Sequence, residues 1–109
     1  MLKSNVEQVT TGTFEERVLR SEIPVLVDFY TPWCPSCRRL EPTLERLAAD
    51  LQGRVRIVKV DVERETELGE TFEIQAVPTM GIFLNGQLAL LQAGVPTASA
   101  LEAVLKQVA

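Results

Sequence analysis

Two strand-length runs constrain this chain most. Val25-Leu26-Val27-Asp28-Phe29-Tyr30 and Val55–Val62 place apolar residues at both odd and even positions. A strand can be apolar on both faces only where both faces are covered. Between the runs, Cys37, Leu40, Leu44, Leu47, Ala48 and Leu51 recur at helical spacing and predict one long amphipathic helix. Pro42 falls inside it and is expected to kink it, and Gly53 to end it. Strand, crossover helix and second buried strand together predict a parallel pair.

The remaining segments extend this unit in both directions. Val6–Val9 reads as a short edge strand. Phe14–Arg20 reads as a short helix that Thr11 or Thr13 can cap. Glu65–Phe72 is a short acidic helix, and Leu101, Val104, Leu105 and Val108 mark a closing one. Thr79–Leu84 and Gln87–Gln92 flank Asn85-Gly86, the strongest two-residue hairpin signal. The order β-α-β-α-β-α-β-β-α predicts an α/β fold: a mixed five-stranded sheet, parallel at its core with an antiparallel C-terminal hairpin, flanked by four helices. At 109 residues and 46% hydrophobic, the chain is read as a single domain, 1–109, able to build a core without a metal or disulfide staple.

Charge and composition remove several functions. The net charge is −4, and the nearest thing to a basic cluster, Arg38-Arg39, is answered by Glu41 and Glu45. A nucleic-acid partner is therefore not expected. The chain has no histidine, which removes His-based general base chemistry and His metal ligands. No run approaches a membrane span, and MLKSNVEQVT has no apolar secretory stretch, so a cytoplasmic setting without a membrane partner is expected. A mature secreted form would look similar.

The two cysteines lie three apart, in Cys34-Pro35-Ser36-Cys37, where the first buried strand gives way to the long helix. Neighbours in the first turn of a helix can form a disulfide or hold two free thiols. Unpaired N–H groups and positive potential at the helix start stabilise a thiolate, the nucleophile of thiol–disulfide exchange. Cys34 would attack a substrate disulfide and Cys37 would resolve the mixed disulfide. With Cys34 as N-cap, the N–H groups of Ser36 and Cys37 are its expected donors, and Pro35, first in the helix, loses nothing by lacking one. A purely structural bridge is the weaker reading, because so short a loop gains only about 2 kcal/mol in the chain-entropy model. A four-cysteine metal site would need a second chain. Trp33, Pro32 and Pro35 offer an apolar rim to a peptide.

Asp28 interrupts a run that should be buried, where an unpaired carboxylate is costly and its pKa rises. It reads either as a proton acceptor and donor for Cys37 or as half of a strand-end ion pair with Lys59, which interrupts the other buried strand. Pro78, in Val77-Pro78-Thr79, opens a strand. With a cis bond, Val77 could present its backbone to a bound peptide.

Val25–Tyr30, Trp33-Cys34-x-x-Cys37, Pro42, Lys59-Val60-Asp61, Val77-Pro78-Thr79, Asn85-Gly86 and Gly94 occur in the order and spacing of the thioredoxin family, which nearly the whole chain resembles. The resemblance implies the thioredoxin fold and protein-disulfide reduction, with Cys34 attacking, Cys37 resolving and Asp28 relaying a proton beside Lys59. It implies a cis-proline at Pro78 next to Cys34, and a substrate groove formed by Ala76, Val77, Gly94 and the Trp33–Pro35 rim. It also implies disulfide-bearing target proteins and a thioredoxin reductase or equivalent donor as partners. The dithiol is made of the chain's own residues, so no bound cofactor is expected, and the protein is expected to be a monomer. The alternatives are a disulfide oxidase or isomerase and a thioredoxin-fold binding module. Pro35-Ser36 replaces the family's usual glycine-proline pair, Tyr30 stands where a Trp is usual, and Gly81 and the apolar Leu88–Leu91 stretch are less common.

Overall fold

The computed structural model describes residues 4–109, so the first three residues of the expected domain lie outside it. Five strands form one sheet in the order β1-β3-β2-β4-β5: β1 (Glu7–Gln8), β2 (Val25–Tyr30), β3 (Arg56–Asp61), β4 (Thr79–Leu84) and β5 (Gln87–Ala93). β3 pairs in parallel with both β1 and β2, and β4 runs antiparallel to β2 and β5. The expected mixed sheet is therefore present, with α1 (Pro35–Asp50) as the crossover between β2 and β3. α2 (Thr66–Thr71) follows β3, and α3 (Ala98–Val108) closes the chain.

The alternation of β2 shows why both its faces are apolar. Leu26 joins Leu40, Leu44, Leu47, Ile57, Met80, Ile82, Leu101 and Leu105 beneath α1 and α3. Val25, Val27 and Phe29 join Val18, Val58, Val60 and Leu68 on the opposite face. There Phe14, Phe29, Phe72 and Phe83 pack ring against ring at centroid distances of 5.4–5.7 Å. Gly81 faces these rings, and a Cβ there would come within 3.3 Å of Phe29, which gives the unusual glycine a packing reason. By strand alternation Asp28 and Tyr30 share the Leu26 face, so Asp28 lies under the helix that carries the cysteines.

Local detail differs from expectation in places. The segment read as a helix over Phe14–Arg20 winds as a π-helical turn, Glu15–Leu19, in which the Arg20 N–H reaches back to the Glu15 carbonyl. No side chain caps it: Thr13 Oγ1 instead accepts from the Thr10 N–H at 3.0 Å. The long helix continues across Pro42, which removes the bond to the Arg38 carbonyl. β5 extends to Ala93, one residue past the expected Gln92. α1 stops at Asp50 with Leu51 as its C-cap, so Gly53, at φ +85°, lies in the turn beyond the helix end rather than at it. Asn85 and Gly86 both take positive φ at the hairpin as expected. At Gly86 a Cβ would lie 2.7 Å from the Leu19 carbonyl oxygen, so the turn admits no side chain there.

Candidate active site

The end of β2 and the start of α1 set the dithiol. Cys34 is the N-cap residue of α1, with extended backbone, and Pro35 takes the first helical position. The Cys37 N–H donates to Cys34 Sγ at 3.2 Å, one of the two donors expected from the capping geometry. Ser36 contributes through its hydroxyl, 3.3 Å from the same sulfur, and through its backbone. Both cysteines are free thiols. Cys37 lies deeper, at 2% exposure against 7% for Cys34.

Their environments push the two thiols in opposite directions. Hydrogen bonds from Cys37 first, then from Ser36, hold Cys34 below the usual thiol value. Burial pushes Cys37 up to about 12, reinforced by its hydrogen bond to Cys34 and by the Cys34 and Asp28 charges. Cys34 is thus the more readily ionised thiol, suited to act as nucleophile, and Cys37 the one that holds its proton.

Asp28 sits under α1, 2% exposed. Among the described residues its Oδ1 has no hydrogen-bond partner. Burial raises its pKa to about 7, against the pull of Lys59 and with the help of Glu41. Lys59 is directly opposite Asp28 in the β2–β3 register. The strand-end ion pair that the sequence left open does not form. The Lys59 ammonium lies over the Tyr30 ring, 5.5 Å from its centroid, and acts on Asp28 through space.

Of the expected groove residues, Val77 lies beside Cys34. The Val77–Pro78 bond is cis. The Val77 carbonyl lies 3.9 Å from Cys34 Sγ, and the Gly94 N–H donates to the Pro78 carbonyl at 2.9 Å, which draws the cis-proline loop and the Gly94 loop together. Trp33 is 63% exposed, and Pro35, Ala76 and Gly94 are also exposed, with Val77 half-buried.

Several neighbours were not legible in the sequence. Trp33 Nε1 donates to Glu63 Oε2 at 2.7 Å. Asp61 Oδ1 accepts from the Glu63 N–H at 3.0 Å, so the loop after β3 anchors the Trp33 loop. Arg38 Nε holds the Pro32 carbonyl at 2.9 Å. Thr31 is buried with its hydroxyl unpaired among the described residues, and its backbone hydrogen bond favours the Cys37 thiolate against burial. Glu41 lines the cavity at Asp28, and its place in the sequence could have been read, since it stands four residues after Cys37 on one helix.

A thiol pair with separated acidities, at the start of a crossover helix and facing a cis-proline, defines a thiol–disulfide exchange protein. The chain belongs to the thioredoxin family, whose model, described as Thioredoxin, matches residues 5–107. It is 35% identical to Thioredoxin 1 of Nostoc sp. over 104 residues, 95% of this chain and 97% of that one. It is 40% identical to the thioredoxin of Rickettsia bellii over 79 residues, 72% of this chain and 75% of that one. Over 94 residues it is 40% identical to the mitochondrial thioredoxin of Mus musculus, 86% of this chain and 57% of that one. The protein is a dithiol–disulfide oxidoreductase with protein-disulfide reductase activity, served in general terms by disulfide-containing targets and a reductase. No helix among the described residues is long and apolar enough to cross a membrane.

Proposed function

We propose that Cys34 is the attacking thiol and Cys37 the resolving one, with Asp28 as the proton acceptor for Cys37. The observation that carries this reading is geometric: Cys34 Sγ caps α1 and accepts from the Cys37 N–H at 3.2 Å while Cys37 lies buried beneath it, an arrangement that lowers the Cys34 pKa and pushes Cys37 up to about 12. In the first step the Cys34 thiolate forms a bond to one sulfur of the target disulfide, and the other target sulfur leaves as a thiolate. In the second, Cys37 passes its proton to the Asp28 carboxylate and attacks Cys34 Sγ. The Cys34–Cys37 disulfide forms and the second target thiolate leaves. The target gains two electrons and the dithiol loses two.

Lys59 tunes Asp28 through its charge, and Pro78 shapes the wall beside Cys34. Trp33, Pro35, Ala76, Val77 and Gly94 form the groove in which an extended target segment lies, with the Val77 backbone facing it beside Cys34. The dithiol carries the electrons itself, so the cycle uses no bound cofactor. An external reductase resets the pair. We place the protein in the cytoplasm as a monomer serving electron transport and redox homeostasis. Reduction of insulin in a dithiol-driven assay tests the role assignment. Activity should vanish in Cys34→Ser, and Cys37→Ser should accumulate mixed disulfides. Accumulation in Cys34→Ser instead would reverse the roles.

A further inference from the structure

The cavity at Asp28 has a second carboxylate whose charge the exchange chemistry leaves unexplained. The cavity measures about 30 Å³, room for at least one water, and is lined by Ser4, Val6, Asp28, Glu41, Leu44, Glu45 and Lys59. Its charged groups have distinct places. Glu45, on α1, is engaged by the Asn5 and Val6 N–H groups and by the Ser4 hydroxyl, and so ties down the N-terminal segment. Lys59, on β3, lies over the Tyr30 ring of β2. On the other side of Asp28, β4 contributes the uncharged Met80. Glu41, on α1 one turn beyond Cys37, is exposed and has no hydrogen bond or ion pair among the described residues.

Glu41 and Lys59 thus bring opposite charges to one small cavity that holds a buried carboxylate with an unpartnered oxygen. Building on the reading of Asp28 as the proton acceptor for Cys37, we propose that Glu41 is a positioning residue of the resolving step, its negative charge opposing Lys59 to set the pH at which Cys37 attacks the mixed disulfide. The sign is fixed by electrostatics. A negative neighbour disfavours the carboxylate form of Asp28, and a positive one favours it. Both act on Asp28 in this sense. Removing the Glu41 charge therefore leaves Asp28 ionised, and able to accept a proton, at lower pH.

The test is a stopped-flow reaction of the reduced protein with an aromatic disulfide whose two coloured thiols leave in sequence. The second release reports the attack of Cys37. Glu41→Gln should move the midpoint of the pH profile of that phase downward, making the step about threefold faster well below the midpoint; solvent screening of an exposed charge keeps the effect this small. Glu41→Lys should move it further in the same direction, and Glu41→Asp should stay close to the parent. A packing defect would not follow this order of charge. An unchanged or raised midpoint in both the Gln and Lys variants would overturn the proposal. Asp28→Asn separates the two ideas. If the midpoint persists unchanged in Asp28→Asn, Asp28 is not the titrating group and the parent reading fails. If it disappears there but ignores the Glu41 charge, only the role of Glu41 fails.

Discussion

The two sides of the dithiol differ in kind. Where α1 meets the sheet, Cys37 and Glu41 of the helix and Asp28 and Lys59 of the strands bring titratable groups together around a buried carboxylate. Across Cys34, the cis-proline loop, β4, β5 and the Gly94 loop belong to a stretch with no charged residue between Glu73 and Glu102. One side sets when protons move, and the other offers neutral surface and backbone to a polypeptide. Cys34 stands at their boundary, with its sulfur held by the Cys37 N–H and facing the Val77 carbonyl. The difference teaches that reactivity and recognition in this site can be altered separately.

The largest expected effect falls on the titratable side. Asp28→Asn should slow resolution of the mixed disulfide while stabilising the fold. The folded protein raises this carboxyl from 3.8 to about 7, so folding favours its protonated form. The stability cost is therefore absent at acidic pH, builds as pH rises between those two values, and remains above the higher one. At its full extent it is about 4 kcal/mol as an upper bound. Denaturant unfolding of both proteins should show the gain at pH 8 and little of it near pH 4. An equal gain at both would disconnect it from ionisation.

On the neutral side, Trp33→Ala should lower kcat/KM for a protein disulfide about tenfold, as for an exposed aromatic anchor at an interface. It should leave the reaction with a small aromatic disulfide unchanged. A parallel loss on both substrates would mean that Trp33 acts on the thiols instead. Ala76→Glu, which places a charge in the neutral region, should weaken protein substrates by several-fold and leave Cys34 alkylation untouched.

The smallest expected effect lies at the boundary. Ser36→Ala removes the hydroxyl that lies 3.3 Å from Cys34 Sγ, so the Cys34 pKa should rise. The double variant Pro35→Gly with Ser36→Pro removes the Ser36 backbone donor as well and should raise it further. Because a stabilised thiolate favours the reduced form, both variants should be more reducing than the parent on equilibration with a glutathione buffer. A lower thiol pKa in either variant would contradict the donor argument.

Much of this organisation was legible from local pattern. The buried runs, the amphipathic helix, Asn85-Gly86 and Cys34-x-x-Cys37 are each written within a few adjacent residues, and each leads to one structure. What escaped depends on contacts between distant segments. Glu63 reaches Trp33 across 30 positions. Tyr30 takes the Lys59 ammonium that sequence order would have paired with Asp28. The π-helical turn also follows no local pattern: Phe14 and Val18 are held by the aromatic and aliphatic core rather than by a capping threonine.

Thiolate ultraviolet absorbance against pH measures the separation of the two thiols most directly in the reduced protein. One thiol should titrate below the ordinary cysteine value, and that step should be missing in Cys34→Ser. The other should stay protonated until about pH 12. Two thiols titrating together at the ordinary value, or a low step that survives in Cys34→Ser, would contradict it.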